Sequence, residues 1–248
     1  MKSVLICCPT HHGESGLFRA GFGDLILNRI PNWEFTWYEV GGCGITHARD
    51  IGAARAIKDK YDVLLFIASD IGFTAKHIQK LLSHFERDPS VAVVGGMYLL
   101  KKFPYRMCLN QPDRTRVSDP ATGLLEVYET GTDFMAISVE SLKAVVDAHP
   151  ALRYDDYDDL DTPETRRGIA WNIFNMGIVE ENGRRRFLTE DFWWCRYARE
   201  AGYKIHVDTT IQLKHDGRYV YDAEIAMREM SKAINANMGL TKENVNTK

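Results

Sequence analysis

One short run, Val63-Leu64-Leu65-Phe66-Ile67, restricts this chain more than any other feature. It is wholly apolar, preceded by Lys58-Asp59-Lys60 and followed by Ser69-Asp70. A strand covered on both faces reads this way, because neither side of its pleat meets water. Such a strand belongs at the centre of an α/β sheet, and open sheets of that class bind ligands outside the carboxyl ends of their strands. Asp70 stands at that end, so a ligand or a metal ion is expected beside it.

The segments before and after supply partners for this strand. Ser3–Cys8 reads as a first buried strand ended by Pro9-Thr10, which cannot continue a ladder. Its following loop offers Thr10, His11, His12 and Glu14 to the crevice or to solvent. Leu17–Arg29 can form a helix, and Trp33–Val40 alternates as a second strand. A helix capped by Thr46 should turn Ala48, Ile51, Ala54 and Ile57 toward the sheet. Arg49, in its first turn, is read as facing a phosphate or as half of an exposed ion pair. Ile78, Leu81, Leu82 and Phe85 have helical spacing, and Val91–Val94 is a further strand closed by Gly95-Gly96, where a ligand or backbone can approach. The order β-α-β-α-β-α-β predicts a parallel sheet with helices on both faces.

Later segments are less regular. Lys101–Val117 lacks periodicity and gathers Lys101, Lys102, Arg106, Arg114 and Arg116, a solvated basic loop or a nucleic-acid contact. Leu124–Glu129 can be a short strand, and Gly131–Ile137 is a turn feeding a strand, with Ser138 capping a helix through Leu142, Val145 and Val146. Arg153–Asp161 is crowded with aspartates and reads as a solvated mobile loop or a cation-binding lid, and Arg184-Arg185-Arg186 as a solvated turn. Tyr203–Val207 is a strand, and Asp222 caps a last helix carrying Ala223, Ala226, Met227, Met230 and Ile234, ended by Gly239.

Composition narrows the function. The 248 residues are 45% hydrophobic with a formal charge of −3, which suits one sizeable core and not a surface built mainly for nucleic acid. No run approaches the roughly 18 apolar residues of a membrane span. The five cysteines are odd in number and scattered, as expected of reduced thiols, so a soluble cytoplasmic protein is expected. Walker A, GxGxxG, HExxH and GxSxG patterns do not occur in the sequence.

Phe187–Asp208 is the second informative stretch. Thr189 is a candidate N-cap, with Glu190 and Asp191 in the first turn where acids complement the helix dipole. Asp191 also shares a helical face with Trp194, Cys195 and Ala198, which should be buried, so one carboxylate is drawn toward the interior. Gly202 suits the C′ position. Downstream, His215 follows a short strand as a possible metal ligand or general base.

Together, the strand ending in Ser69-Asp70, the Thr189-Glu190-Asp191-Phe192 helix start, the Arg199–Tyr203 ending and His215 resemble a glycosyltransferase of the GT-A fold, family-2-like. The resemblance covers roughly Ser3–Gly217 and implies an open, mostly parallel central sheet flanked by helices. It implies that Asp70, as the second acid of an Asp-x-Asp motif, holds Mn²⁺ or Mg²⁺ with His215, and that the Glu190-Asp191 pair supplies the catalytic base. Ala68 replaces the motif's first aspartate and Ser69 is its middle residue, a departure compatible with weaker donor binding, an unusual donor or an inactivated variant.

The chemistry matches these residue types. Charge builds on the leaving diphosphate, which a divalent ion neutralises, and hard cations take oxygen ligands, Mn²⁺ also imidazole. The acceptor hydroxyl needs a base, assigned to Asp191, and an inverting displacement follows. Thr10, Arg49, Ala68, Ser69 and Asp70 line the donor side. Trp193 or Trp194 is placed to stack on an acceptor ring, with a core role expected for Trp194. The implied partners are a nucleoside-diphosphate sugar, UDP-linked by preference, and a glycan or other hydroxyl-bearing acceptor, a DNA base included. Residues 1–100 form the nucleotide-binding half, 101–217 the acceptor half and 218–248 a C-terminal helix and tail. A nucleotidyltransferase and a non-catalytic sugar-nucleotide or glycan binder are the competing readings.

Overall fold

The computed structural model describes residues 1–10, 13–111, 113, 115–157, 166–181, 183–217 and 219–237. His11, His12, Arg114, the aspartates beyond Tyr157 and Gly239 lie outside the described residues. The first part alternates largely as its pattern predicts: β1 (Lys2–Thr10), α1 (Gly16–Leu27), β2 (Trp33–Gly41), α2 (Ile45–Lys58), β3 (Val63–Ile67), β4 (Ile71–Gly72), α3 (Ala75–Arg87) and β5 (Val93–Met97). However, β1 runs on through Pro9-Thr10, expected to end it, along the edge strand β2, and β4 is additional. Then come β6 (Leu109–Asn110), β7 (Leu124–Val127), β8 (Glu129–Thr130), β9 (Phe134–Ser138) and α4 (Val139–Ala148). β10 (Arg153–Tyr157), β11 (Arg166–Trp171), β12 (Gly177–Glu181), β13 (Arg184–Leu188) and α5 (Glu190–Glu200) follow. The chain ends with β14 (Ile205–Gln212), β15 (Lys214–His215), β16 (Tyr221–Asp222) and α6 (Ala223–Asn237).

A 7-stranded sheet in the order β2-β1-β3-β9-β5-β14-β7 forms the centre. β1 lies parallel to β2 and β3, and β14 parallel to β5. β9 runs antiparallel between β3 and β5, and β7 antiparallel at the edge. The mixed α/β sheet flanked by helices is the class expected, with β9 and β7 as its antiparallel members. The chain reaches β9 from β5 without a crossover helix, and parallel pairing needs one.

Alternation along β3 divides the core. Val63, Leu65 and Ile67 pack with Phe18 of α1 and Ile78, Leu81 and Leu82 of α3, while Leu64 and Phe66 pack with α2, α4 and Trp194 of α5. Fully burying each such side chain contributes about 1.5–3 kcal/mol. Caps fix the helix starts: Ser15 Oγ accepts from Phe18 N, Thr74 from His77 N, Ser138 from Ser141 N and Asp222 from Ile225 N. Among the described residues no helix is long and apolar enough to cross a membrane, and all five cysteines are free thiols.

Several local expectations change. Gly44, not Thr46, occupies the N-cap of α2, without a side-chain bond. The buried face of α2 carries Ala48, Arg49, Asp50, Gly52, Ala53 and Ala56, leaving Ile51, Ala54 and Ile57 only half-buried. Size explains this: a Cβ on Gly52 would stand 2.6 Å from Cys7 Sγ, so glycine lets the helix settle onto β1. Gly95 and Gly96 lie inside β5, where Leu213, Ile211 and Phe134 fill the space over Gly96 in place of a ligand. Arg184–Arg186 form part of the β12–β13 hairpin, and Arg186 is bonded to Glu129 and Glu181. Residues 153–157 are a strand paired with β11, and Asp156 is buried 2.7 Å from His47. The basic cluster is not one patch, since Lys101 bonds Asp70 and Arg116 bonds Glu126. The strand expected over Tyr203–Val207 starts at Ile205 and continues to Gln212, and Met230 of α6 is exposed.

Candidate functional site

At the carboxyl end of β3 the chain makes a tight turn held from three directions. Ala68 N donates to Asp133 O at 2.8 Å, Ile71 N returns to Ala68 O at 3.0 Å, Ser15 N donates to Ser69 O at 2.8 Å and Asp216 N to Asp70 O at 2.8 Å. Immediately after it, β4 pairs with β15, setting Ile71 opposite His215. The backbone therefore fixes Asp70 and His215 together although they are far apart in sequence.

Asp70 Oδ2 accepts from Lys101 Nζ, and Oδ1 lies 3.6 Å from His215 Nε2. Burial works to raise the Asp70 pKa, but the proximity of His215 and the bond from Lys101 outweigh it and hold the group at about 2. His215 Nδ1 lies 2.8 Å from the Leu99 carbonyl, which can only accept, so Nδ1 carries a proton and Nε2 is the nitrogen turned toward Asp70. Asp70 Oδ1 is buried without a hydrogen-bond partner. An unpartnered carboxylate oxygen beside an imidazole nitrogen fits a divalent ion. No group of three or more His, Cys, Asp or Glu able to hold a metal occurs among the described residues.

A buried ionic cluster borders this turn. Arg49, only 3% exposed, donates through Nη1 to Glu190 and through Nη2 to Asp133 at 3.1 Å. Burial opposes its charge, yet Glu190 and Asp133 raise its pKa. The expected phosphate contact or exposed ion pair is corrected: α2 is sunk against the sheet, so Arg49 is enclosed. Glu190, buried at 9%, is spent on that arginine. Asp191, next along α5, accepts from Thr189 Oγ1 and from Phe192 N at 2.8 Å. Burial, with Glu190 and Asp133 adding to it against the pull of Arg49, raises its pKa to about 6.

Continuous contacts join the two acids. The His215 ring packs edge-on against Tyr98 at 5.4 Å, Asp133 N lies 3.4 Å from the Tyr98 hydroxyl, and Asp133 leads through Arg49 to Glu190 and Asp191. Tyr98 is 2% exposed, and a Cβ on Gly131 would stand 1.8 Å from its hydroxyl oxygen, so only glycine fits there.

No family model matches the sequence, and no curated protein matches it. Solved structures do. A197 from STIV superposes with a TM-score of 0.53 at 17% identity over 90% of this chain and 94% of A197. GalNAc-T7, determined with UDP, GalNAc and Mn²⁺, superposes with a TM-score of 0.52 at 12% identity over 88% of this chain. This chain spans 43% of GalNAc-T7. The fold is GT-A.

On this GT-A sheet, Thr10 ends β1 beside the Asp70 turn, but its hydroxyl donates to Glu39 at 2.9 Å. Trp194 is fully buried and stacked on Phe174 at 5.4 Å, as its core role requires, and Trp193 meets Tyr197. Sequence reasoning did not single out Asp133 or Tyr98, and it placed Lys101 only in a basic loop. Asp133 sits inside a turn with no motif of its own. Its value comes from the β3–β9 register, which sets Ile67 opposite Phe134 and so brings Asp133 to Ala68.

Proposed function

We propose that this chain is a metal-dependent glycosyltransferase that moves a sugar from a nucleoside diphosphate, UDP by preference, to an acceptor hydroxyl with inversion. One observation carries the reading: an unpartnered Asp70 oxygen 3.6 Å from Nε2 of His215, at the carboxyl end of the central strand of a GT-A sheet. Support comes from GalNAc-T7, a protein of similar fold that holds UDP, GalNAc and Mn²⁺. Asp70 and His215 would hold Mn²⁺ or Mg²⁺, which when bound supplies Lewis-acid neutralisation of the leaving diphosphate. Ser69 and Thr10 flank the donor side.

Asp191 takes the acceptor proton. A carboxylate with a pKa of about 6 is a stronger base than an ordinary one and is still ionised at neutral pH. A single base opposite the leaving group needs no second nucleophile, hence inversion. Glu190 and Arg49 position it. Asp133 keeps one carboxylate oxygen clear of Arg49 and is hydrogen-bonded through its backbone to Ala68, so it supplies negative charge next to the place where the motif's first aspartate is missing.

Lys101 on Asp70 favours one second reading, a sugar-nucleotide binder that uses the lysine in place of a metal. Calorimetric titration of UDP separates the two. Mn²⁺ should tighten binding at least about tenfold, and Asp70→Asn should remove that gain. Equal affinity with and without Mn²⁺ in the native protein rejects the metal site.

A further inference from the structure

Beside the Asp70 turn lies a surface that donor chemistry does not use. The excursion after β5 is pinned at its base by the Leu99–Met107 bridge and by Leu100 N donating to Arg106 O at 2.8 Å. Its tip exposes Phe103 (62%) and Tyr105 (48%), with ring centroids 4.7 Å apart. Both rings approach Tyr221, at 5.8 and 6.5 Å, and Tyr221 is the residue paired with His215 across β15 and β16. Lys101, on the same excursion, reaches back to Asp70. The aromatic surface is therefore in register with the residues proposed to hold the donor.

Single exposed apolar residues are ordinary, but adjoining rings on a fixed stem form a patch. Along the excursion itself the charge has one sign. The stretch Lys101-Lys102-Phe103-Pro104-Tyr105-Arg106 holds cations and no acid in a chain whose net charge is −3. Lys102 and Arg106 are exposed and pair with no carboxylate among the described residues. Rings that accept a flat face, flanked by uncommitted cations, match a chain of bases and phosphates. A neutral glycan would leave both cations without a counter-charge.

We propose that the Phe103–Tyr105 surface, backed by the buried Tyr221 and flanked by Lys102 and Arg106, binds single-stranded nucleic acid and presents it to the site as acceptor, an inference that rests on the glycosyltransferase reading. A base stacks on Phe103 and Tyr105, and neighbouring phosphates meet Lys102 and Arg106.

Fluorescence anisotropy of the full chain with labelled oligothymidylate and oligouridylate tests this, the two probes separating DNA from RNA. Phe103→Ala/Tyr105→Ala should weaken binding about tenfold or more, and Lys102→Ala/Arg106→Ala should lower the salt slope by about 1–2. UDP affinity with Mn²⁺ should stay unchanged in both. If the ring double variant unfolds, Phe103→Ala, the more exposed ring, carries the test. UDP binding without oligonucleotide binding overturns this inference alone. A neutral oligosaccharide whose binding depends on the same rings, while oligonucleotides do not bind, also overturns it. Oligonucleotide binding by a protein that binds no UDP leaves the surface standing and rejects sugar transfer.

Discussion

Asp70 and Asp191 are the same residue type in opposed surroundings. Asp70, about a third exposed, sits between a lysine and a histidine and is held at about 2. Asp191 is packed beside Glu190 and Asp133, whose shared arginine is already committed, and rises to about 6. The first stays ionised at any physiological pH and suits a fixed charge for a cation. The second can exchange a proton near neutrality. Environment, not residue type, separates the roles.

Removing the proton acceptor should produce the largest effect on turnover. Asp191→Asn keeps the shape and should lower kcat about 10²–10⁴-fold, the usual contribution of a general base. A folded variant with native kcat ends that assignment. The native pH profile sharpens it: because the base acts ionised, kcat/KM should fall as pH drops through about 6, and a limb near 4 would place Asp191 in ordinary solvent.

Breaking the cluster that tunes Asp191 is next. Arg49→Met leaves Glu190 and Asp133 without their buried counter-charge, at a cost of about 3–5 kcal/mol and, for a chain of this size, a fall of about 10 °C in Tm. A calorimetric Tm within about 2 °C of native would show that the pair adds nothing.

The smallest effect concerns a third aspartate. Asp50, buried on α2, accepts from Ile173 N and Phe174 N at 3.1 and 3.0 Å, and burial lifts its pKa to about 8. The folded value lies above the unfolded one, so its contribution is complete below about pH 4 and is lost as pH rises through 8. Asp50→Asn retains an acceptor for both amides and should shrink the loss of Tm between pH 5 and 8 by about 7 °C. An unchanged difference would mean that Asp50 is not the titrating group.

Much of the scaffold was legible beforehand. Val63–Ile67 is a strand with the expected bounds and buried on both faces, α3 buries the residues its spacing selects, and Ser138 caps α4. These follow from local rules in which few side chains decide. The face of α2 was missed because apolarity pointed to Ile51 and Ile57, while the close approach at Gly52 chose a smaller set. The aspartate-rich stretch entering β10 looked solvated, yet Asp156 is buried against His47, a partner supplied by α2.

By itself, the sequence determined the strand–helix alternation, the position of Asp70 at a strand end and the presence of acids in the first turn of α5, because hydrophobic period and turn chemistry act over a few residues. Only the tertiary structure decided that β9 runs against its neighbours, that Arg49 is enclosed by Glu190 and Asp133, and that His215 turns Nε2 toward Asp70. Those outcomes depend on strand register and on desolvation of charges brought together from distant segments, which no local pattern encodes.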